Sequence, residues 1–202
     1  MKALYLALVL LLFVAPVARG AEPDDKQPLR LTAEIVGSRY CGGGSLNILQ
    51  LSVRLRYQNV GSQKLVVYRG KNLFYQTRIR GGAGKGYEVV VTNSRYNDAE
   101  IEALGERKPG SAFVTLRPGG THETIISVGV GVTPNGSGRV ANTIAPGEHT
   151  LQVITSSWYE SRRLAEELRE RWRGSGLLWI DPVVAQPLKF DAGLEAPAAA
   201  CR

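Results

Sequence analysis

The sequence predicts an all-β chain, an antiparallel β-sandwich of eight or nine short strands with one amphipathic helix inserted before the last strand. Three observations predict it. Apolar and polar residues alternate along most segments, the period of a strand with one buried and one wet face. Gly, at 23, and Pro, at 10, punctuate these segments, as short strands joined by many turns require. A sustained helical period occurs in one stretch, between Ser157 and Gly174. Usage is otherwise average, 44% apolar and 21% charged, which excludes disorder of the whole chain and a multi-pass membrane protein.

In chain order, Lys2 precedes an unbroken apolar run of twelve residues from Ala3 to Val14, and Ala18-Arg19-Gly20 puts small residues at −3 and −1 before Ala21. This predicts a secretory signal over residues 1–20, removed after Gly20. The run is shorter than the ~20 residues that span a bilayer, and no later segment is apolar enough. The mature protein is expected to be secreted or periplasmic, with no integral membrane segment. Residues 21–28 are polar and contain Pro23 and Pro28, predicting a flexible leader.

Leu29, Leu31, Ala33 and Ile35 alternate with polar neighbours and predict a first strand, ending before a turn at Tyr40-Cys41-Gly42-Gly43-Gly44. The clearest alternation is next: Leu49, Leu51, Val53, Leu55 and Tyr57 against Gln50, Ser52, Arg54, Arg56 and Gln58. Asn59 to Ser62 is a turn, and strands follow at 65–68 and 73–79. Gly81-Gly82-Ala83-Gly84-Lys85-Gly86 is a hairpin connection; it lacks the spacing and the Ser/Thr of a phosphate loop. Strand 87–91 precedes a polar connection at 93–110, in which Asp98 is placed to cap a short helix over 99–104. Strands at 112–116 and 124–132 flank the Pro118-Gly119-Gly120 turn, and Thr133 to Pro146 is a long loop containing Asn135. A strand at 151–154 follows.

The period then changes. Ser157 and Glu160 fit a capping box; Leu164, Leu168 and Trp172 form one stripe; Glu167 and Arg171 form an i,i+4 pair; Gly174 stops the helix. The stripe is expected to pack on the sandwich, with a partner-binding helix as the alternative. Segments 177–180 and 187–190 close a single domain over 29–191, and 192–202 is an Ala/Pro-rich tail.

The charge is 25 − 18 = +7, and loss of Lys2 and Arg19 with the signal leaves 23 − 18 = +5. The basic residues are spread singly along strands (Arg54, Arg56, Arg69, Arg78, Arg80), which does not form a nucleic-acid footprint. Two Cys, two His and one Met leave too few ligands for a His/Cys metal cluster, and no cofactor motif is present. Cys41 and Cys201 are the only thiols. In an oxidising compartment an intramolecular disulfide is expected, closing a loop long enough to contribute ~4–5 kcal/mol if unstrained. Pairing between chains through Cys201, and a nucleophilic Cys41 in its glycine turn, are the alternatives. The nucleophile needs a base, and only His122 and His149 are available.

Leu116-Arg117-Pro118-Gly119-Gly120, the run Ala145-Pro146-Gly147-Glu148-His149-Thr150-Leu151-Gln152-Val153, and Trp172-Arg173-Gly174 through Pro187-Leu188-Lys189-Phe190 together resemble turn-and-strand patterns of bacterial exported immunoglobulin-like β-sandwich domains. The resemblance spans roughly residues 29–191 and implies that fold. His149 stands where the pattern has Tyr, whose hydroxyl closes a corner on upstream backbone; a ring nitrogen of His149 is expected to do the same.

No catalytic constellation is apparent, so no catalytic residues are assigned. The expected role is non-catalytic binding of a protein or cell-envelope component through loops, with Gly82, Lys85, Arg95, Tyr96 and Asn135 as candidate contacts. The alternatives are a proteinase inhibitor of the immunoglobulin-like type, and a polyanion-binding surface protein. An enzyme using His122 or His149 with a Ser and an acid is the remaining class; the acidic residues Asp98, Glu100 and Glu102 are expected to solvate a helix turn.

Overall fold

The computed structural model describes residues 27–43, 46–69, 74–81, 88–93, 105–136, 142–156 and 162–195. The strands are β1 (Leu29–Gly43), β2 (Leu46–Asn59), β3 (Leu65–Tyr68), β4 (Phe74–Gly81), β5 (Glu88–Thr92), β6 (Phe113–Leu116), β7 (Thr121–Val132), β8 (Thr143–Ile144) and β9 (Gly147–Ser156). Helix α1 (Arg162–Arg171) follows, then β10 (Leu177–Leu178), β11 (Val183–Val184) and β12 (Leu188–Ala192).

The chain is an all-β sandwich with one helix ahead of its last strands among the described residues. One sheet runs β1-β2-β7-β8. The opposing sheet runs β11-β9-β4-β5, with β12 paired to β9 below β11. A small third sheet, β10-β3-β6, joins the end of the sandwich. The long pairings are antiparallel; β7–β8 and β10–β3 are short parallel ones.

The alternation predicts which side chains face inward. Leu49, Leu51, Val53, Leu55 and Tyr57 of β2 and Ile126, Val128, Val130 and Val132 of β7 are buried. They meet Thr77 and Ile79 of β4, Val89 of β5, and Leu151, Val153 and Thr155 of β9 in one continuous core. Each large aliphatic side chain there contributes about 1.5–3 kcal/mol of burial. The other face of β2 is wet, and its arginines are paired: Arg54 with Glu34 at 3.1 Å and Arg56 with Glu123 at 3.8 Å.

Several boundaries depart from the sequence reading, each for a physical reason. The first strand continues past Ile35 to Gly43, so Tyr40, Cys41 and Gly42 lie in a strand and not in a turn. A bulge between Ile35 and Gly37 resets the inward parity, so the alternation breaks while the pairing continues. The 133–146 loop contains β8, whose pairing with β7 is possible because Gly136 lies against the Ile144 backbone where a Cβ would overlap it. β11, two residues long, is too short to carry a period; it is fixed by pairing with Thr155 and Ile154. The last strand runs to Ala192, and Gly193 and Glu195 of the supposed tail are tied to the first hairpin: Gly193 N donates to the Tyr40 hydroxyl at 2.6 Å, and Asn47 Nδ2 donates to the Glu195 carbonyl at 3.0 Å.

Helix α1 buries Ala165 and Leu168, half-buries Leu164, and is followed by the buried Trp172. The stripe packs on the protein. Phe113 sits edge-on between Tyr68 and Trp172, with ring centres at 5.4 and 5.0 Å, and Trp172 Nε1 donates to the Glu106 carbonyl at 3.1 Å. Glu167 pairs with Arg163, not with Arg171, which instead donates to the Glu106 carbonyl at 3.3 Å. The body of the protein at the helix C-terminus offers Arg171 a nearer acceptor. No helix among the described residues is long and apolar enough to cross a membrane.

Candidate functional site

The end of the sandwich where β2 and β9 finish holds a small cleft. Leu29 of β1, Tyr57 of β2, Val67 and Tyr68 of β3, and Thr155 and Ser156 of β9 line it, together with Trp179, Asp181 and Val183 from the chain after β10. Its empty volume is about 220 Å³, solvent at the mouth included.

Each wall is placed by a local rule. Tyr57 is the last apolar position of β2's inward alternation, opposite Leu31 on one side and His122 on the other. Thr155 and Ser156 end β9, and Val183 is brought to Thr155 by the β11 pairing. Trp179 follows β10, and its backbone N–H donates to the Val66 carbonyl at 2.8 Å. Asp181 is held from the helix side by Arg162 and Arg169, at 3.3 and 3.6 Å. Arg169 also donates through Nε to the Leu178 carbonyl at 2.9 Å. α1 thus fixes the outer wall of the cleft.

Two donors in this cleft are buried and unmet. The Tyr57 hydroxyl and the Trp179 indole N–H have no hydrogen-bond partner, in side chains only 2% and 7% exposed. Thr155 is near enough to the Tyr57 phenol to lower its pKa slightly, yet it does not meet hydrogen-bond geometry. Burial dominates and pushes that phenol far above the ordinary tyrosine range, so it remains an O–H donor. An unmet buried donor costs about 1–3 kcal/mol. Both side chains line the same cleft as Asp181.

The two histidines lie apart from one another in the fold. His149 is fully buried on β9, opposite Phe190 of β12, with its ring stacked at 5.4 Å. Its Nδ1 lies 2.7 Å from the Gly147 carbonyl, the upstream backbone contact that the Tyr-to-His exchange anticipated. His122 is half-buried on β7, cross-strand from Tyr57 and beside the cleft without lining it. Burial lowers its pKa; the nearby Arg69 adds to this and Glu123 opposes it.

The residues singled out from the sequence fall elsewhere. Asn135 is exposed after β7, at the far end of that strand from His122. Ten residues of strand separate those ends by roughly 33 Å. Cys41 is buried at that same far end, opposite Ile48, and no described cysteine is free. Gly82, Lys85, Arg95, Tyr96 and Cys201 lie outside the described residues, as do residues 1–26, the 99–104 helix with its cap Asp98, and Ser157. The cleft itself is not readable in sequence: Tyr57 reads as one more apolar strand position and Trp179 as part of a closing strand, and only the fold brings them to Asp181. Among the described residues no group of three or more His, Cys, Asp or Glu is placed to hold a metal ion.

No family model and no curated protein matches the chain. Among solved structures it is similar to the X-ray structure of Northeast Structural Genomics Consortium target SoR45, at 13% identity and a TM-score of 0.36, over 80% of this chain and 84% of that one.

Proposed function

We propose that the chain is an exported, non-catalytic β-sandwich protein that binds a protein or cell-envelope component, with the cleft at the end of the sandwich as a recognition point. The observation that carries this reading is the pair of buried donors, Tyr57 Oη–H and Trp179 Nε1–H, in a cleft that opens to solvent. An acceptor group that enters the cleft would meet donors left without a hydrogen-bond partner in the protein. Export rests on the signal pattern before Ala21, and the immunoglobulin-like affinity on the strand-entry patterns around Pro118 and Pro146. The proposed Cys41–Cys201 disulfide is supported by the tethering of Glu195 to Asn47, which stands opposite Gly42 in the first hairpin, next to Cys41.

Binding of the mature protein to isolated envelope fractions tests the reading. Saturable binding is expected, and a Tyr57→Phe/Trp179→Phe double variant that keeps its fold should lose most of it. Absence of saturable binding, or equal retention of the double variant, overturns it.

A further inference from the structure

We infer that the free edge of β7 is a strand-pairing surface for a second copy of this chain, laid antiparallel across a two-fold axis at Ile125. The inference is independent of the cleft at the end of the sandwich.

The direction of the backbone groups comes first. In an antiparallel ladder, alternate residues turn both N–H and C=O to the same side. Asn59 N–H donates to the Gly120 carbonyl at 3.0 Å, and the β2–β7 register runs on from there without a shift. The even-numbered residues of β7 therefore bond to β2, and the odd-numbered ones turn their backbone away from it. Two further bonds agree: Thr133 N–H donates to the Ile144 carbonyl of β8 at 3.0 Å, and the Ser127 carbonyl accepts from the Tyr75 hydroxyl at 2.7 Å. β8 takes this side of β7 from Gly131 onward, so the free edge runs from Thr121 to Gly129. β5 lies against β7 across the sandwich, but no backbone hydrogen bond joins them among the described residues.

This edge lacks the usual guards. Strand edges are commonly blunted by Lys, Pro or a bulge; residues 121–129 contain neither Lys nor Pro, and their pairing with β2 has no bulge. The midpoint is Ile125, at 62% the most exposed large apolar side chain among the described residues. One two-fold register uses the whole edge. It sets Ile125 opposite the partner's Ile125, Glu123 opposite the partner's Ser127, and Thr121 opposite the partner's Gly129. Each of these pairs exchanges two backbone hydrogen bonds. The Ser127 carbonyl, which already accepts from Tyr75, has a second lone pair to give. The Glu123 carboxylate meets a hydroxyl that can donate to it. Moving the axis toward His122 leaves Gly129 unpaired and, at Glu123, sets two carboxylates opposite each other, which is unfavourable. Moving it the other way carries the edge onto the partner's Gly131, where β8 already sits. The contact is isologous, so it closes at a dimer and does not propagate. It joins β1-β2-β7 of both copies into one sheet.

A strand-edge contact is smaller than a standard interface, so association is weak and concentration-dependent. Sedimentation velocity on the full mature chain, from about 5 to about 500 μM, should show a monomer–dimer equilibrium. Ile125→Lys, which faces two cations across the axis, should weaken it at least about tenfold with an unchanged urea midpoint; Val184→Lys, an equally exposed change on β11, should leave it intact. Mild oxidation of Ile125→Cys should cross-link the copies, since facing residues of a hydrogen-bonded pair lie about 5.5 Å apart between Cα atoms, within disulfide reach. Glu123→Cys, whose two copies lie four residues out of register, should not cross-link. A monomer at every concentration, a dimer that survives Ile125→Lys, or equal cross-linking by both cysteine variants overturns the inference. A monomer whose envelope binding is lost in Ile125→Lys assigns the edge to a strand of another protein and equally overturns the second copy.

Discussion

Asn59 ties two turns of the chain together through one side chain. It is fully buried at the end of β2, where its amide donates to the carbonyls of Gln63 at 2.8 Å and Leu116 at 2.9 Å and accepts from Gly61 N–H at 3.0 Å. Its backbone meets Gly119 and Gly120 of the turn before β7. A sequence reading finds only a turn residue there, because the short side chain that favours turns says nothing about a carbonyl 57 residues away. Asn59→Ala leaves the buried Leu116 carbonyl unmet and should cost about 2–3 kcal/mol, seen as a lower urea midpoint with an unchanged slope. At His122 the issue is charge. Its pKa is lowered from 6.5 by burial first, with Arg69 adding to this and Glu123 opposing. The unfolded chain therefore takes up the proton before the folded one does as pH falls. Stability is highest at neutral pH, declines as pH drops through the unfolded value, and levels off below the folded one. His122→Gln should flatten that part of the profile in urea titrations run between neutral and mildly acidic pH; an unchanged profile would assign the decline to other groups.

At the scale of the element, the helix is decided by its stripe. Its salt bridges are exposed, among them Arg162–Glu166 at 3.3 Å and Arg173–Glu170 at 2.7 Å, and such pairs contribute little each. Trp172, by contrast, is 1% exposed, packs edge-on against Phe113, and bonds to Glu106. Trp172→Ala should cost about 3–5 kcal/mol, whereas Arg163→Ala should move thermal stability hardly at all; a reversal of that order would mean that α1 is held by charge and not by burial. The stripe at Leu164, Leu168 and Trp172 was legible because periodicity encodes which face is buried. The bulge in β1 was not. It breaks the very alternation from which a strand is read, and what keeps Tyr40 and Cys41 in the strand is their pairing with Leu49 and Ile48.

For the whole molecule, the two sheets close on each other at both edges, with β1 against β11 and β12, and β5 against β7. The segment after β12 seals one of these edges through Gly193–Tyr40 and Asn47–Glu195. Cys201 is six positions beyond Glu195, a reach of up to about 20 Å, ample for the proposed bond to Cys41. Cys201→Ser should lower stability by up to about 4–5 kcal/mol, measured by urea unfolding, and reductant should bring the parent protein down to the variant's level. Labelling of both cysteines by a thiol reagent in unfolded, unreduced protein would remove the disulfide from the account.

What the sequence by itself determined is the class of the fold, the inward face of β2, and the place of the helix and its apolar stripe. These follow from the periods of strand and helix, which are local. The candidate site is not local. Tyr57, Thr155, Trp179 and Asp181 belong to four separate segments, each of which reads as ordinary core, strand end or connection. Their meeting depends on how β9 pairs with β11 and on how Arg162 and Arg169 draw Asp181 to the helix. Only the tertiary structure decides that, since an unsatisfied hydrogen bond is a property of every neighbour at once and of no single stretch of chain.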